Sequence, residues 1–338
     1  MGKKNNVWNH YFRDKKRFAD LFNGVYFQGR LVIQAEELTE ISETYAEPEA
    51  NTLEEKENDG KPGKKRERLE RFRDILMTLK TGETFRLLAV ENQQLVNYAM
   101  PFRCMQYDTM EYSRQLDTLR KKNEKTDDYA TDAERIGKIK KIDRLTPVYT
   151  LCLYHGEEPW DGPRSLKDMM NFGEDSDGMS SYFADYPLNL YCLNEQTSFD
   201  AFQTEIKKVF QLMGFRRNKV RLQQEIVNNP EYHKIDIDSL EVVSVMLDAP
   251  QIWKDRAKYI QTENEKEECD MCQAIREWIE EERSIGMELG KAEGKIEGET
   301  LLATLMSKLF SDNRTEDARL AVNDENVRKQ FYREYGLI

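Results

Sequence analysis

Phe18, Leu21, Phe22 and Val25 recur at helical spacing and form one apolar stripe. The stripe predicts a short helix from about Asp14 to Asn23, with Asn23-Gly24 as its stop. Leu31-Val32-Ile33 is β-branched, and Leu38 to Tyr45 alternates as a first strand does. From Ala46 to Leu69 apolar residues almost vanish among Glu, Lys, Asn, Gly and Pro, so this stretch reads as a charged insertion. Phe72 to Lys80 and Thr84 to Gln93 are strand-like and flank Thr81-Gly82-Glu83-Thr84, a turn with glycine at its first central position, which predicts a hairpin. Tyr98 to Leu119 reads as helix, and the charged residues from Arg120 to Lys141 continue it or form a loop. Leu145 to Tyr154 and Asn189 to Leu193 read as further strands. From Phe199 onward the pattern is helical throughout, with Phe202, Ile206, Val209, Phe210 and Met213 on one stripe. After Glu277 the glycines Gly286, Gly290, Gly294 and Gly298 recur among Glu and Lys. Each costs a helix about 1 kcal/mol relative to alanine, so this part reads as a flexible helical tail or as a close approach to a partner helix.

The hairpin fixes more than two strands. With Gly82 and Glu83 as the loop, Thr81 faces Thr84, and each opposed pair then has numbers summing to 165, which sets Asp74 opposite Glu91. Side chains alternate with period two, so Glu91 and Gln93 share the face from which Asp74 points. Ile75, Met77, Leu88 and Val90 fall on the other face, which implies a covered side and an acidic side opening to a cleft. Directly opposed carboxylates repel unless something neutralises them, and a hard divalent cation, Mg²⁺ or Mn²⁺, would do so with Asp74 and Glu91 as ligands. Such an ion can activate water and stabilise a phosphodiester's developing charge, with Gln93 placed to orient the water or the phosphate. On spacing alone the pattern also fits two surface carboxylates on an exposed strand.

Charge and composition narrow the classes. The chain has 338 residues, 34% of them charged and 39% hydrophobic, which suits a packed core with solvated faces. No run approaches the roughly 18 apolar residues of a membrane span and no apolar signal core follows Met1, so a cytoplasmic location is expected. The five cysteines, Cys104, Cys152, Cys192, Cys269 and Cys272, are odd in number and mostly in apolar contexts, as reduced structural cysteines are. The net charge of −12 argues against a protein that coats DNA. Locally the balance reverses, because Lys61, Lys64, Lys65, Arg66, Arg68, Arg71 and Arg73 stand against only Glu67 and Glu70 just before the hairpin. That run is a phosphate-binding patch or a solvated linker.

Arg73-Asp74-Ile75-Leu76, Leu88-Ala89-Val90-Glu91-Asn92-Gln93, Tyr98-Ala99-Met100-Pro101-Phe102-Arg103 and Tyr107-Asp108, taken together, resemble the Rpn (YhgA-like) family of recombination-promoting nucleases, also labelled transposases, within the PD-(D/E)XK nuclease superfamily. Phe18-Ala19-Asp20-Leu21-Phe22-Asn23 resembles that family's opening helix, and Pro147-Val148-Tyr149, Leu153-Tyr154-His155-Gly156 and Trp160 its later strand and loop. The resemblance covers roughly Asp14 to Trp160. It implies a restriction-endonuclease-like α/β core, Mg²⁺-dependent DNA cleavage, and Asp74, Glu91 and Gln93 as the catalytic residues. Two positions depart from the wider superfamily pattern: Arg73 replaces the proline before the aspartate, and Gln93 stands where a lysine would polarise the water. An acid from the opening helix often completes such a site. Asp14 lies along the face of Phe18 and Leu21 but is also a good N-cap, whereas Asp20 projects from the opposite side, and this ligand stays unassigned.

Cys269-Asp270-Met271-Cys272 has the spacing of half a zinc site, without the second pair or nearby histidine that would complete it. His155 reads as a hydrogen-bonded histidine at a strand end sooner than as a general base. Arg103 and Tyr107, four apart, could reach a DNA phosphate or simply pack, and Arg73 belongs with them as a candidate DNA contact. No phosphate-cradling glycine loop, nucleophile elbow or dinucleotide fingerprint is present. The expectation is therefore an α/β nuclease core over 1–197, a helical region over 198–275 and a charged, glycine-punctuated tail over 276–338. DNA is the expected partner, and homodimerisation is expected because cutting both strands is easiest with two sites. The competing reading is a non-catalytic, DNA-associated scaffold that keeps the fold.

Overall fold

The computed structural model describes residues 3–41, 74–173, 178–263 and 266–338. The insertion expected near 46–70, the basic run and Arg73 lie outside the described residues. The chain divides into two compact units, Met1–Cys272 and Gln273–Ile338.

In the first unit α1 (Lys3–Phe12) precedes α2 (Lys15–Phe27). Asp14 starts α2 as its N-cap, its Oδ1 accepting from the amides of Lys16 and Arg17 at 3.0 Å each. The expected stop at Asn23-Gly24 is not one, because the helix runs on to Phe27 and closes at Gln28 in the left-handed region. Gly24 has a different cause. A Cβ there would stand 2.3 Å from the Phe202 ring, so an aromatic side chain lies directly on the helix backbone. Asn23 holds the following loop, accepting from the Val32 and Ile33 amides and donating to the Ile33 carbonyl. Gly24→Ala should lower stability by about 1–3 kcal/mol, since overpacking against a buried ring outweighs the helix propensity gained. An unchanged urea midpoint would show instead that Phe202 has room to move.

A mixed five-stranded sheet follows, ordered β1 (Leu38–Glu40), β2 (Ile75–Thr81), β3 (Thr84–Gln93), β4 (Val148–Tyr154) and β5 (Leu190–Cys192). The chain is thus α/β. The first two pairings are antiparallel and the last two parallel. The hairpin register is the expected one, from Thr81↔Thr84 to Ile75↔Val90. Gly82 has φ +60°, as a two-residue hairpin loop with glycine first requires.

Between β3 and β4 the chain forms α3 (Met100–Thr126) and α4 (Asp132–Gly137). The charged stretch therefore extends the helix as far as Thr126. One sheet face, carrying Leu76, Leu87, Ala89 and Val148, packs with Met110 and Tyr112 of α3. Asp108 fastens that helix to the sheet, accepting from Thr150 Oγ1 at 2.7 Å and from the Tyr186 hydroxyl at 2.5 Å.

The other face meets α1, α2 and, beyond them, α5 (Ile206–Phe215), α6 (Lys219–Asn228), α7 (Ile237–Met246) and α8 (Pro250–Lys254). An aromatic core joins these layers. Trp8 stacks on Phe12 at 5.3 Å between ring centroids, Phe12 meets Phe210 at 6.4 Å, and Phe210 meets Phe202 at 5.1 Å. Two polar contacts seat the amino-terminal helices on the carboxyl-terminal ones. Arg17 pairs with Asp236 and Asp238 at 2.9 Å each. Asp20 accepts from the amides of Gln203 and Thr204 and from the Thr204 hydroxyl.

The region after Phe199 is not helical throughout. Strands β6 (Ile235–Asp236), β7 (Ile260–Glu263) and β8 (Lys266–Cys269) form a small antiparallel sheet in the order β6-β8-β7. At two to four residues each, they are too short to show a period-two pattern.

The second unit holds most of α9 (Met271–Ser311), followed by α10 (Thr315–Asn323) and α11 (Glu325–Glu334). Leu305, Leu309, Ala318 and Ala321 form its core, with Phe331 and Tyr332 packed against them. The four spaced glycines lie within one continuous helix, each with open space where a Cβ would be. Among the described residues no helix is long and apolar enough to cross a membrane.

Candidate functional site

Glu91 and Gln93 stand two apart at the carboxyl end of β3, the central strand, and Asp74 directly precedes β2. Carrying the observed register one residue past Ile75↔Val90 sets Asp74 opposite Glu91. The three predicted residues therefore lie at one end of neighbouring strands. They do not line an open cleft. Glu91 is fully buried, and Asp74 and Gln93 are only 6% and 7% exposed. The expected acidic opening is absent because α3 packs on that same sheet face.

Each carboxylate is held by a different helix. On the α3 side, Arg103 Nη2 donates to Glu91 Oε2 at 3.3 Å while Arg103 Nε donates to the Tyr107 hydroxyl at 3.3 Å. The Arg103 guanidinium also lies 5.5 Å from the Tyr107 ring centre. Arg103 and Tyr107, expected as DNA contacts, thus adjoin the site, Arg103 by binding its glutamate and Tyr107 by accepting from Arg103. Burial, the largest single influence, would lower the Arg103 pKa, but Glu91, Tyr107 and Asp74 together outweigh it and raise it. The Tyr107 phenol is raised as well, by burial and then by Glu91.

On the α1 side, Asp74 Oδ1 accepts from Asn9 Nδ2 at 3.2 Å and Oδ2 from the Asn92 amide at 2.7 Å. Asn92 Nδ2 donates to Asn9 Oδ1 at 2.6 Å, which closes the network. Burial raises the Asp74 pKa; the bonds from Asn92 and Asn9 and the charge of Arg103 oppose this only in part. Asn9 and Asn92 were missed from sequence. Val7, Trp8, Tyr11 and Phe12 carry the helical spacing that would have placed Asn9 on a packed helix. Neither acid of the opening helix joins the site, because Asp14 caps α2 and Asp20 binds the Gln203–Thr204 backbone.

Beside this centre, at the carboxyl ends of β3 and β4, a cavity of about 480 Å³ is lined by Gln94, Val96, Tyr98, His155, Gly156 and Arg216 among others. In open α/β sheets ligands gather outside the carboxyl ends of parallel strands. His155 is not the hydrogen-bonded histidine expected. It is fully buried, its ring 5.7 Å from that of Trp8, and among the described residues neither ring nitrogen has a hydrogen-bond partner. Burial, and then the nearby Arg216, push its pKa down to about 3, so it is neutral. Arg216 donates instead to the His155 carbonyl at 2.7 Å.

Comparison with known proteins identifies no relative: no family model, no curated protein and no solved structure matches the chain.

Proposed function

We propose that this protein is a metal-dependent DNA endonuclease with a PD-(D/E)XK core, in which Asp74, Glu91 and Gln93 form the active site. The observation that carries the reading is the hairpin register, which, carried one residue past Ile75↔Val90, sets Asp74 opposite Glu91, with Gln93 two residues further along β3. Strand directions support it too, since an antiparallel β1-β2-β3 meander leads through α3 to a β4 parallel to β3. That succession is compatible with a restriction-endonuclease-like core.

The donor set suits Mg²⁺ or Mn²⁺, because both candidate ligands are carboxylates and hard cations take oxygen donors. Asp74 and Glu91 would hold the ion, which would supply a lowered water pKa and neutralise charge on the phosphodiester. The chain's own groups do the rest. Asn9 and the Asn92 amide fix the Asp74 carboxylate, Arg103 pairs with Glu91, and Gln93 offers an amide for the water or a phosphate oxygen. Duplex DNA is the proposed substrate, a homodimer the proposed cutting unit and the cytoplasm the proposed location. Promotion of recombination or attack on foreign DNA is the corresponding role.

Purified protein should nick or linearise supercoiled plasmid with Mg²⁺ or Mn²⁺, cut nothing in EDTA, and lose the activity in Asp74→Ala. The enclosure of Glu91 and its pairing with Arg103 favour a second reading, a DNA-associated scaffold without catalysis. Absence of cutting under varied salt and with Mn²⁺ would make that reading the better one.

A further inference from the structure

Cys269-Asp270-Met271-Cys272 looks in sequence like an incomplete metal motif, and folding supplies the histidine it lacks. β6 pairs with β8 through Ile235↔Cys269, which draws the turn Pro230–His233 against the residues that follow β8. His233 Nδ1 lies 3.0 Å from Asp270 Oδ2. One ligand atom each from His233, Asp270 and Cys272 falls within 4.8 Å of the other two. We propose that these three side chains form a metal site separate from the nuclease centre, taking a zinc-class divalent cation.

The donors select the ion. An imidazole nitrogen, a carboxylate oxygen and a thiolate sulfur together match borderline-soft Zn²⁺ and its close relatives, whereas Mg²⁺ and Ca²⁺ prefer oxygen alone. Burial falls from one ligand to the next: Cys272 is 1% exposed, the Asp270 side chain 14% and the His233 side chain 50%. The ion would therefore sit at the mouth of a closed floor, with its remaining position open to water on the histidine side. Cys272 stands in the first turn of α9, where the helix dipole favours a negatively charged ligand. A Cys-His-Asp hydrolytic triad fits the same residues less well, because the Cys272 sulfur is enclosed and directed at the Ile226 carbonyl, 3.4 Å away, where no substrate could reach it. Cys269, fully buried on β8, belongs to the interior and not to this cluster.

The test is a Co²⁺ titration of the full-length, chelator-stripped protein, read by the thiolate-to-cobalt charge-transfer band. The expected result is about one equivalent giving the band and Zn²⁺ abolishing it. Asp74 and Glu91 offer no sulfur, and a band lost in Cys152→Ser, at the strand position beside Glu91, would belong to the nuclease centre instead, so failure of either site is seen separately. Losing a ligand should weaken Co²⁺ binding by more than the 10- to 100-fold typical of an outer partner. Cys272→Ser should remove the band and His233→Ala should weaken binding on that scale. Should Cys272→Ser fail to fold, His233→Ala decides alone, because its side chain is half exposed. No band, a band untouched by His233→Ala, or one lost with Cys269→Ser but kept in Cys272→Ser would each overturn the assignment.

Discussion

Glu91→Gln is expected to reduce the proposed metal-dependent DNA cleavage by at least about a hundredfold while leaving the protein within about 1 kcal/mol of its original stability. The two effects separate because the glutamate's chemistry and its packing rest on different properties. Glutamine keeps the shape and gives up the charge that would hold the cation. Arg103 then loses its 3.3 Å partner, but its side chain is 30% exposed and can turn to water. Arg103→Ala is the reverse case, since it leaves a carboxylate that is fully buried without its guanidinium. Removing one partner of a buried pair costs about 3–5 kcal/mol, and the partial exposure of Arg103 places this variant at the lower end. Combining the two changes should recover most of that loss. Equal destabilisation by the single variants, with nothing regained in the double, would mean that the ion pair does not decide the energetics of this end of β3. A Glu91→Gln enzyme that still cuts at the parent rate would remove Glu91 from the proposed active site.

The hairpin was fully legible because two local rules agree. Gly82 supplies the positive φ that the loop needs, and the alternation of apolar residues leaves one register that buries Ile75, Met77, Leu88 and Val90. What period two cannot tell is whether the other face is also covered. Leu76, Leu87 and Ala89 lie on that face, and their apolar character was the available sign that α3 would pack there. A strand buried on both faces reads as a nearly continuous apolar run, and Leu87 to Val90 is one.

The contacts of the candidate site were illegible for a related reason. Arg103 reaches Glu91 only because Asp108 anchors α3 over β4 through Thr150 and Tyr186, and those partners lie far from Asp108 in sequence. Asn9 reaches Asp74 only because the Trp8, Phe12 and Phe210 rings seat α1 against its neighbours. Gly24 misled for the opposite reason: a local rule, glycine as helix stop, was overridden by a distant ring that needed the space. Short strands such as β6 and β8 carry no periodic signal, and the pairing of these two is what brings His233 beside Asp270.

His155 gives the largest expected pH effect on stability. Its pKa is pushed from 6.5 in the unfolded chain to about 3 in the fold, first by burial and then by Arg216. A depressed histidine pKa means that the unfolded chain binds the extra proton first. Stability is therefore unaffected by this group above about pH 6.5 and falls progressively below it, until the folded pKa near 3 is reached. At pH 5 the loss is about 2 kcal/mol, from roughly 1.5 units at 1.36 kcal/mol each. Asp74 acts in the opposite sense, since its raised pKa contributes stability at low pH that fades as pH rises through the folded value. Comparing two proteins that both keep Asp74 cancels it. His155→Leu removes two ring nitrogens that lack partners and fills the space beside Trp8 with an apolar group, so at pH 7.5 it should be as stable as the parent or more so. Between pH 7.5 and pH 5 the parent should then lose about 2 kcal/mol more than the variant in urea denaturation. Parallel losses in the two proteins would mean that His155 can take up a proton without unfolding, and hence that the cavity it lines admits water to the imidazole.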